Sequence, residues 1–171
     1  MGEYSEAYVA FDTSKTKHAV AIADGGRRGE VRFLGDVASS PARVERLTRK
    51  LAARYDQLHF CYEAGPTGYG LYRQIRELGH DCTVVAPSLI PKKPGERIKT
   101  NRRDAVTLAR LLRAGELTAV WVPDALHEAV RDLVRAREAA AQDLRRKRQQ
   151  LLSFLLRHGR NRTVVASPQQ G

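Results

Sequence analysis

The sequence predicts an α/β protein built on one mixed sheet, and three observations carry that reading. Three short apolar or alternating runs near the start are separated by the turn-forming stretches DTSKT and DGGRRG. From Ser40 to Ala86 the pattern then alternates helix, strand, helix, strand, which implies parallel pairing through right-handed crossovers. A chain of 171 residues with 42% hydrophobic content suits one packed domain plus an appendage.

The first three strands are expected at Tyr8 to Asp12, His18 to Ala23 and Glu30 to Val37, as an antiparallel meander. Ser40 followed by Pro41 starts a helix in which Val44, Leu47 and Leu51 recur at helical spacing, while arginines and Lys50 fill the other face. Leu58 to Glu63 is a more continuously apolar strand, as expected where both faces are covered. Gly65, Pro66 and Gly68 lead from it into a helix marked by Leu71, Ile75 and Leu78 and stopped by Gly79. Asp81 to Ala86 supplies the last strand. Pro87 to Lys99 holds three prolines, one glycine and four basic residues, and is expected to be a mobile loop near the substrate. Asn101 to Ala114 reads as a helix ended by Gly115, and a short apolar piece at Ala119 to Val122 closes the globular part.

Asp124 to Arg157 has almost no breaker, and Val130, Val134, Ala141, Leu144, Leu151 and Leu155 approximate a heptad seam. A long coiled-coil-like helix is expected, forming a dimer or higher homo-oligomer through residues 124–157, because its seam needs a partner. The expected organisation is a catalytic domain over 1–123, the helix over 124–160 and a disordered tail over 161–171, where periodicity is lost.

Thirty lysines and arginines against 19 acids give a net charge of +11 and favour a polyanionic partner, nucleic acid first. No apolar run approaches the roughly 20 residues that span a bilayer, and the start lacks the order of a secretory signal. A cytoplasmic protein is expected. Cys61 and Cys82 lie in apolar segments without metal-ligand spacing and read as buried, reduced thiols.

Asp12 ends the first strand and Glu63 the fourth, and the carboxyl ends of strands in such sheets border the ligand crevice. Paired carboxylates repel unless a cation joins them, and hard oxygen donors suit Mg2+ or Mn2+. In KTNRRDA, Asn101 and Asp104 share one side of a first helical turn, which would complete a four-residue metal site. Structural roles compete: Asp12 could cap the turn before Ser14, Glu63 could be a solvated strand end, and Asn101 could be an N-cap with Asp104 complementing the helix dipole. EAGPTGYG lacks the Walker lysine and reads instead as a bend after Glu63, with Tyr69 and Tyr72 available to stack or pack. Lys92, Lys93, Arg97, Lys99, Arg102 and Arg103 concentrate positive charge beside the acids, and Arg145 and Arg146 on the long helix are further candidates for nucleic-acid contact.

In this order, VAFDTSKTKHAVAI, YEAGPTGYGLYRQI, VVAPSLIP and IKTNRRDAVTLARLLRAGELTAVWVP resemble the DEDD transposases of the insertion sequence one-ten family, relatives of the Piv DNA invertases. The resemblance implies a RuvC-like, ribonuclease-H-like domain whose four acids bind magnesium, then a coiled-coil segment and a second domain with a catalytic serine. It also implies a structured guide (bridge) RNA that selects target and donor DNA, in a bacterial, nucleoid-associated protein. Asp12 matches the first acid, Glu63 the second and Asp104 the fourth; Asn101 stands in the third place, a departure that removes one charge. After RHGR the sequence turns to NRTVVASPQQG, and neither Ser153 nor Ser167 lies in a matching motif. The chain is therefore expected to be part of the enzyme, cut off before the serine domain and inactive alone. The competing reading is a nucleic-acid-binding and dimerisation module without chemistry. A sugar-kinase-like phosphotransferase is disfavoured by the lack of a second glycine-rich phosphate segment.

Overall fold

A computed structural model describes residues 5–91 and 100–160. The chain divides into two compact units, Met1–Val122 and Pro123–Gly171. The first carries β1 (Glu6–Thr13), β2 (Lys17–Asp24), β3 (Val31–Ala38), α1 (Pro41–Ala52), β4 (Gln57–Glu63), α2 (Gly70–Glu77), β5 (Asp81–Val85) and α3 (Asn101–Ala114). The strands form one sheet in the order β3-β2-β1-β4-β5. β1 pairs antiparallel with β2 and parallel with β4, β2 pairs antiparallel with β3, and β4 pairs parallel with β5, so β2 alone is reversed. This is the mixed sheet of the ribonuclease-H-like fold that the resemblance implied.

Alternation along the strands sorts the core into two layers. On one face Val9, Phe11, Val20, Ile22, Phe60 and Tyr62 pack against Val44 and Leu51 of α1 and Ile75 of α2. On the other, Ala10, Ala19, Ala21, Ala23 and Cys61 pack against Ala105, Leu108 and Ala109 of α3. The alanines keep that second face flat, which lets α3 lie close across β1 and β2. β3 departs from regular pairing, because Val20 faces Gly35 and Ala21 faces Phe33, leaving Leu34 as an extra residue. Gly35 accommodates this bulge at φ 107°, where a side chain is strained.

The apolar piece after α3 joins the sheet edge: Ala119 bridges Val85, and the Val120 amide donates to the Val84 carbonyl at 2.8 Å. Pro87–Leu89, expected as loop, forms a single 3-10 turn. Cys61 is fully buried and Cys82 partly so; both are free, and burial raises the Cys61 thiol pKa well above its ordinary value and that of Cys82 to about 12.

The second unit contains α4 (Ala125–Arg157), 33 residues long. Asp124 caps it, its Oδ1 accepting from the His127 amide at 2.8 Å. No residue of α4 is buried; Val130, Val134, Leu144 and Leu151 of the apolar seam are exposed. Among the described residues, no helix is long and apolar enough to cross a membrane. The expected tail over 161–171 lies outside the described residues.

Candidate functional site

Phe11 of β1 pairs in register with Tyr62 of β4. Asp12 and Glu63 are the next residues on these two parallel strands, which lie about 4.8 Å apart as neighbours in a sheet. Phe11 and Tyr62 belong to the α1/α2 layer, whereas Ala10 and Cys61 belong to the α3 layer. By alternation Asp12 and Glu63 therefore face the α3 side, and both are half-buried.

The direction of α3 decides which of its ends approaches them. Arg113, in its last turn, donates to the carbonyls of Asp24 at 3.0 Å and Gly29 at 2.6 Å. Asp24 pairs with Ala7 near the start of β1, so the C-terminus of α3 lies at that end of the strand and its N-terminus toward the Asp12 end. The Cys61 thiol lies 4.0 Å from the Leu108 carbonyl, fixing the middle of the helix against β4. From Leu108 back to Asp104 is about 6 Å along a helix axis, and from Cys61 on to Glu63 is about 7 Å along a strand. Asn101 and Asp104 continue the stripe of Ala105, Leu108 and Ala109 that packs on the sheet.

The helix start differs from one sequence expectation in an informative way. Thr100, not Asn101, is the N-cap: its Oγ1 accepts from the Arg103 amide at 3.3 Å. Asn101 is thus the first helical residue, and capping does not explain its side chain. Either Thr or Asn can cap, so KTN left the choice open. Asp104 remains in the first turn, where a carboxylate complements the helix dipole.

Three carboxylates and an amide oxygen are hard donors of the kind that Mg2+ and Mn2+ take. The fold places Asp12 and Glu63 on neighbouring strands, each one residue beyond the last position paired between them, and turns the Asn101 and Asp104 end of α3 toward that end of the sheet. It does not gather them fully: among the described residues, no three His, Cys, Asp or Glu side chains are close enough to hold a metal ion.

Of the basic candidates, Lys92, Lys93, Arg97 and Lys99 lie outside the described residues. Arg102 and Arg103 are exposed in the first turn of α3, with the Arg102 guanidinium 5.4 Å from the centre of the Phe33 ring. Arg145 and Arg146 are exposed on α4, where Arg146 is held by Asp143 at 2.6 Å. Tyr69 and Tyr72 pack against the α1/α2 layer.

A feature missed in the sequence lies on the sheet face opposite α3. A cleft of about 1030 Å³ opens between the β1–β2 turn, the start of α1 and α2, lined among others by Thr13, Lys15, His18, Ser39 and Arg73. His18 is only 5% exposed, and its Nδ1 has no hydrogen-bond partner. Burial lowers its pKa and keeps the ring neutral. The parity of His18 with Val20 and Ile22 was the available signal, but a cleft between two helices leaves no local pattern.

A family model described as a transposase, of the DEDD type of the IS110 insertion sequences, matches residues 9–159. The y4qE protein of Sinorhizobium fredii (strain NBRC 101917 / NGR234), named as a transposase, is 62% identical over 160 residues, covering 94% of this chain and 41% of that protein. The transposase for insertion sequence element IS1533 of Leptospira borgpetersenii is 37% identical over 153 residues, covering 89% of this chain and 44% of that protein. The chain thus spans less than half the length of these curated relatives. Among solved structures, Thermus thermophilus RuvC is a loose match, with TM-score 0.39 and 15% identity over 66% of this chain and 99% of that one. Its complex with a Holliday junction substrate gives 0.38 and 14% over 67% and 99%. On the family match and these identities, the chain belongs to the DEDD transposase family of the IS110 insertion sequences.

Proposed function

We propose that residues 1–123 are the metal-dependent phosphodiester-cleaving part of a bacterial DNA transposase, with Asp12, Glu63, Asn101 and Asp104 as the metal-holding residues. The observation that carries this reading is the placement of Asp12 and Glu63 one step beyond the Phe11–Tyr62 pair, on the face where α3 presents its N-terminal turn. A bound Mg2+ or Mn2+ would supply Lewis-acid stabilisation of charge on the phosphate oxygens and lower the pKa of water. The protein's own part is to hold three carboxylates and one amide in place and, through Arg102 and Arg103, to balance phosphate charge at the same turn. Asn101 contributes an oxygen without a charge, which weakens cation affinity relative to an aspartate there.

The partners in this reading are DNA, a guide RNA and further copies of the chain. Residues 124–157 form the oligomerisation segment, supported by the exposed seam of α4. Lys92, Lys93, Arg97, Lys99, Arg145 and Arg146 contribute positive charge toward nucleic acid. No serine of residues 1–171 lies in a motif matching the family's nucleophile, so this stretch supplies acid chemistry and needs serine chemistry from elsewhere to exchange strands. Its place of action is the bacterial cytoplasm, at the nucleoid.

A second reading, a nucleic-acid-binding and dimerisation module without chemistry, is favoured by the ungathered acids and by Asn101. Calorimetry with Mg2+ and Mn2+ on the chain, on Asn101→Asp and on Glu63→Gln separates the two. The metal reading expects binding by the chain, tighter binding by Asn101→Asp and loss in Glu63→Gln. Heats unchanged by Glu63→Gln would leave the module reading.

A further inference from the structure

The positive charge of α1 takes no part in the acid site. Arg43, Arg46 and Lys50 are exposed and follow at intervals of three and four, so they form one stripe beside the buried stripe of Val44, Thr48 and Leu51. Among the described residues, none of the three has an ion-pair partner, whereas Arg49 on the same helix is held by Glu45 at 2.6 Å. The helix start is also unbalanced. Ser40 makes no side-chain cap, the first turn holds no acid, and Arg43 adds positive charge to the positive end of the helix dipole. Lys50 complements the dipole in the last turn; Arg43 works against it.

This start opens on the cleft already described. The Ser39 amide donates to the Thr16 carbonyl at 3.1 Å and the Ser39 hydroxyl to the Lys15 carbonyl at 2.8 Å, tying the entrance of α1 to the turn that follows Asp12 and Thr13. Lys15 and Arg73 line the cleft, and deeper in it stands His18, almost wholly buried with Nδ1 unpartnered. Glu77 is the acid among the lining residues. A run of cations therefore begins at the sheet edge that bears Asp12 and leads away along α1, on the face opposite α3.

We infer that Arg43, Arg46 and Lys50, together with Lys15 and Arg73 at the cleft mouth, form a rail for the phosphate backbone of the DNA duplex flanking the strand held at the acid edge. The occupant is a duplex, because α1 carries no aromatic side chain on which unpaired bases could stack. It is assigned to backbone phosphates, contacts that fix register and orientation on a duplex without reading its sequence. The choice of DNA rests on the proposed function, since the rail starts at the edge assigned to the scissile strand.

The test is fluorescence anisotropy of the full chain with a labelled random-sequence DNA duplex in chelator, across a salt series. Arg43→Gln/Arg46→Gln/Lys50→Gln is compared with Arg27→Gln/Arg28→Gln/Arg110→Gln, which removes the same charge from exposed positions elsewhere. Circular dichroism checks that both fold. The rail variant is expected to lose affinity on the order of tenfold or more and to flatten the salt slope by about 2 to 3, near 0.9 per phosphate contact; the control keeps the wild-type slope. Equal losses in both variants, or a rail variant that binds like wild type, overturn the inference. So does a rail variant that keeps DNA-duplex binding while losing an RNA duplex measured in parallel. Because chelator is present, a chain without Mg2+ binding in calorimetry sinks the metal reading alone, and an unchanged slope sinks the rail alone.

Discussion

Arg32 grips Asp24 with both ends of its guanidinium, Nη1 to Oδ2 at 2.6 Å and Nη2 to Oδ1 at 3.2 Å, and Tyr55 closes the group by donating to Oδ1 at 2.6 Å. The group ties β2, β3 and the segment after α1 together at the end of the sheet away from Asp12 and Glu63. Burial pushes the Asp24 carboxyl pKa up, but the Arg32 and Tyr55 hydrogen bonds and the nearby charges of Arg32 and Arg113 outweigh it and hold it below the ordinary value. A depressed carboxylate contributes stability that is present above the unfolded value, about 3.9, and is lost as pH falls through the folded one. Arg32→Met should cost about 2 kcal/mol at neutral pH, with the exposed third of Arg32 screening part of the pair. In urea melts, Asp24→Asn should flatten the acid limb below about pH 4. An acid limb as steep as wild type in Asp24→Asn would show that other carboxylates set it.

Gly29 closes the turn before β3 where no side chain fits. A Cβ there would lie 2.2 Å from the Asp24 carbonyl oxygen and 2.5 Å from that of Gly25. The Asp24 carbonyl also accepts from Arg113, so the obstacle is backbone already held in place. Gly29→Ala should destabilise by about 2–3 kcal/mol, read as a fall in denaturation midpoint. A fall below about 0.5 kcal/mol would mean that the turn relaxes freely.

Much of this fold was legible because its signals are local. Turn chemistry in DTSKT and DGGRRG separated the first strands, Pro41 opened α1, Gly79 and Gly115 closed α2 and α3, and Asp12 and Glu63 stood out as acids ending apolar runs. The Asp24–Arg32–Tyr55 group was not legible, since its members are 8 and 31 residues apart and nothing in sequence says which arginine meets which acid. The same holds for the cleft, which exists only once α1 and α2 pack side by side. Thr100 took the cap from Asn101 because two adjacent residues could both serve, and backbone geometry made the choice.

Thr48 is 1% exposed on the buried face of α1, and its hydroxyl has no hydrogen-bond partner among the described residues. A buried hydroxyl without a partner bears the cost of leaving water with nothing in return, whereas a methyl of the same shape does not. Thr48→Val should therefore stabilise the chain by about 1 kcal/mol, visible as a higher melting temperature. A lower melting temperature would reveal a partner for the hydroxyl, such as an ordered water.

The apolar seam of α4 makes a prediction about assembly. Leu144 is 52% exposed and Leu151 is 58% exposed, one heptad apart on a helix with no buried residue. An isolated helix with such a seam is poorly stable in water, and a second copy is the partner always present at matching concentration. Light scattering on the full chain should give at least twice its 19.1 kDa mass at high concentration. Leu144→Asp and Leu151→Asp each place a charge in the seam and should weaken association by at least about tenfold, or 1.4 kcal/mol, while leaving the Met1–Val122 unit folded. A monomeric mass for the unsubstituted chain would remove self-association as the role of this helix, and masses unaffected by both substitutions would move the contact elsewhere on the chain.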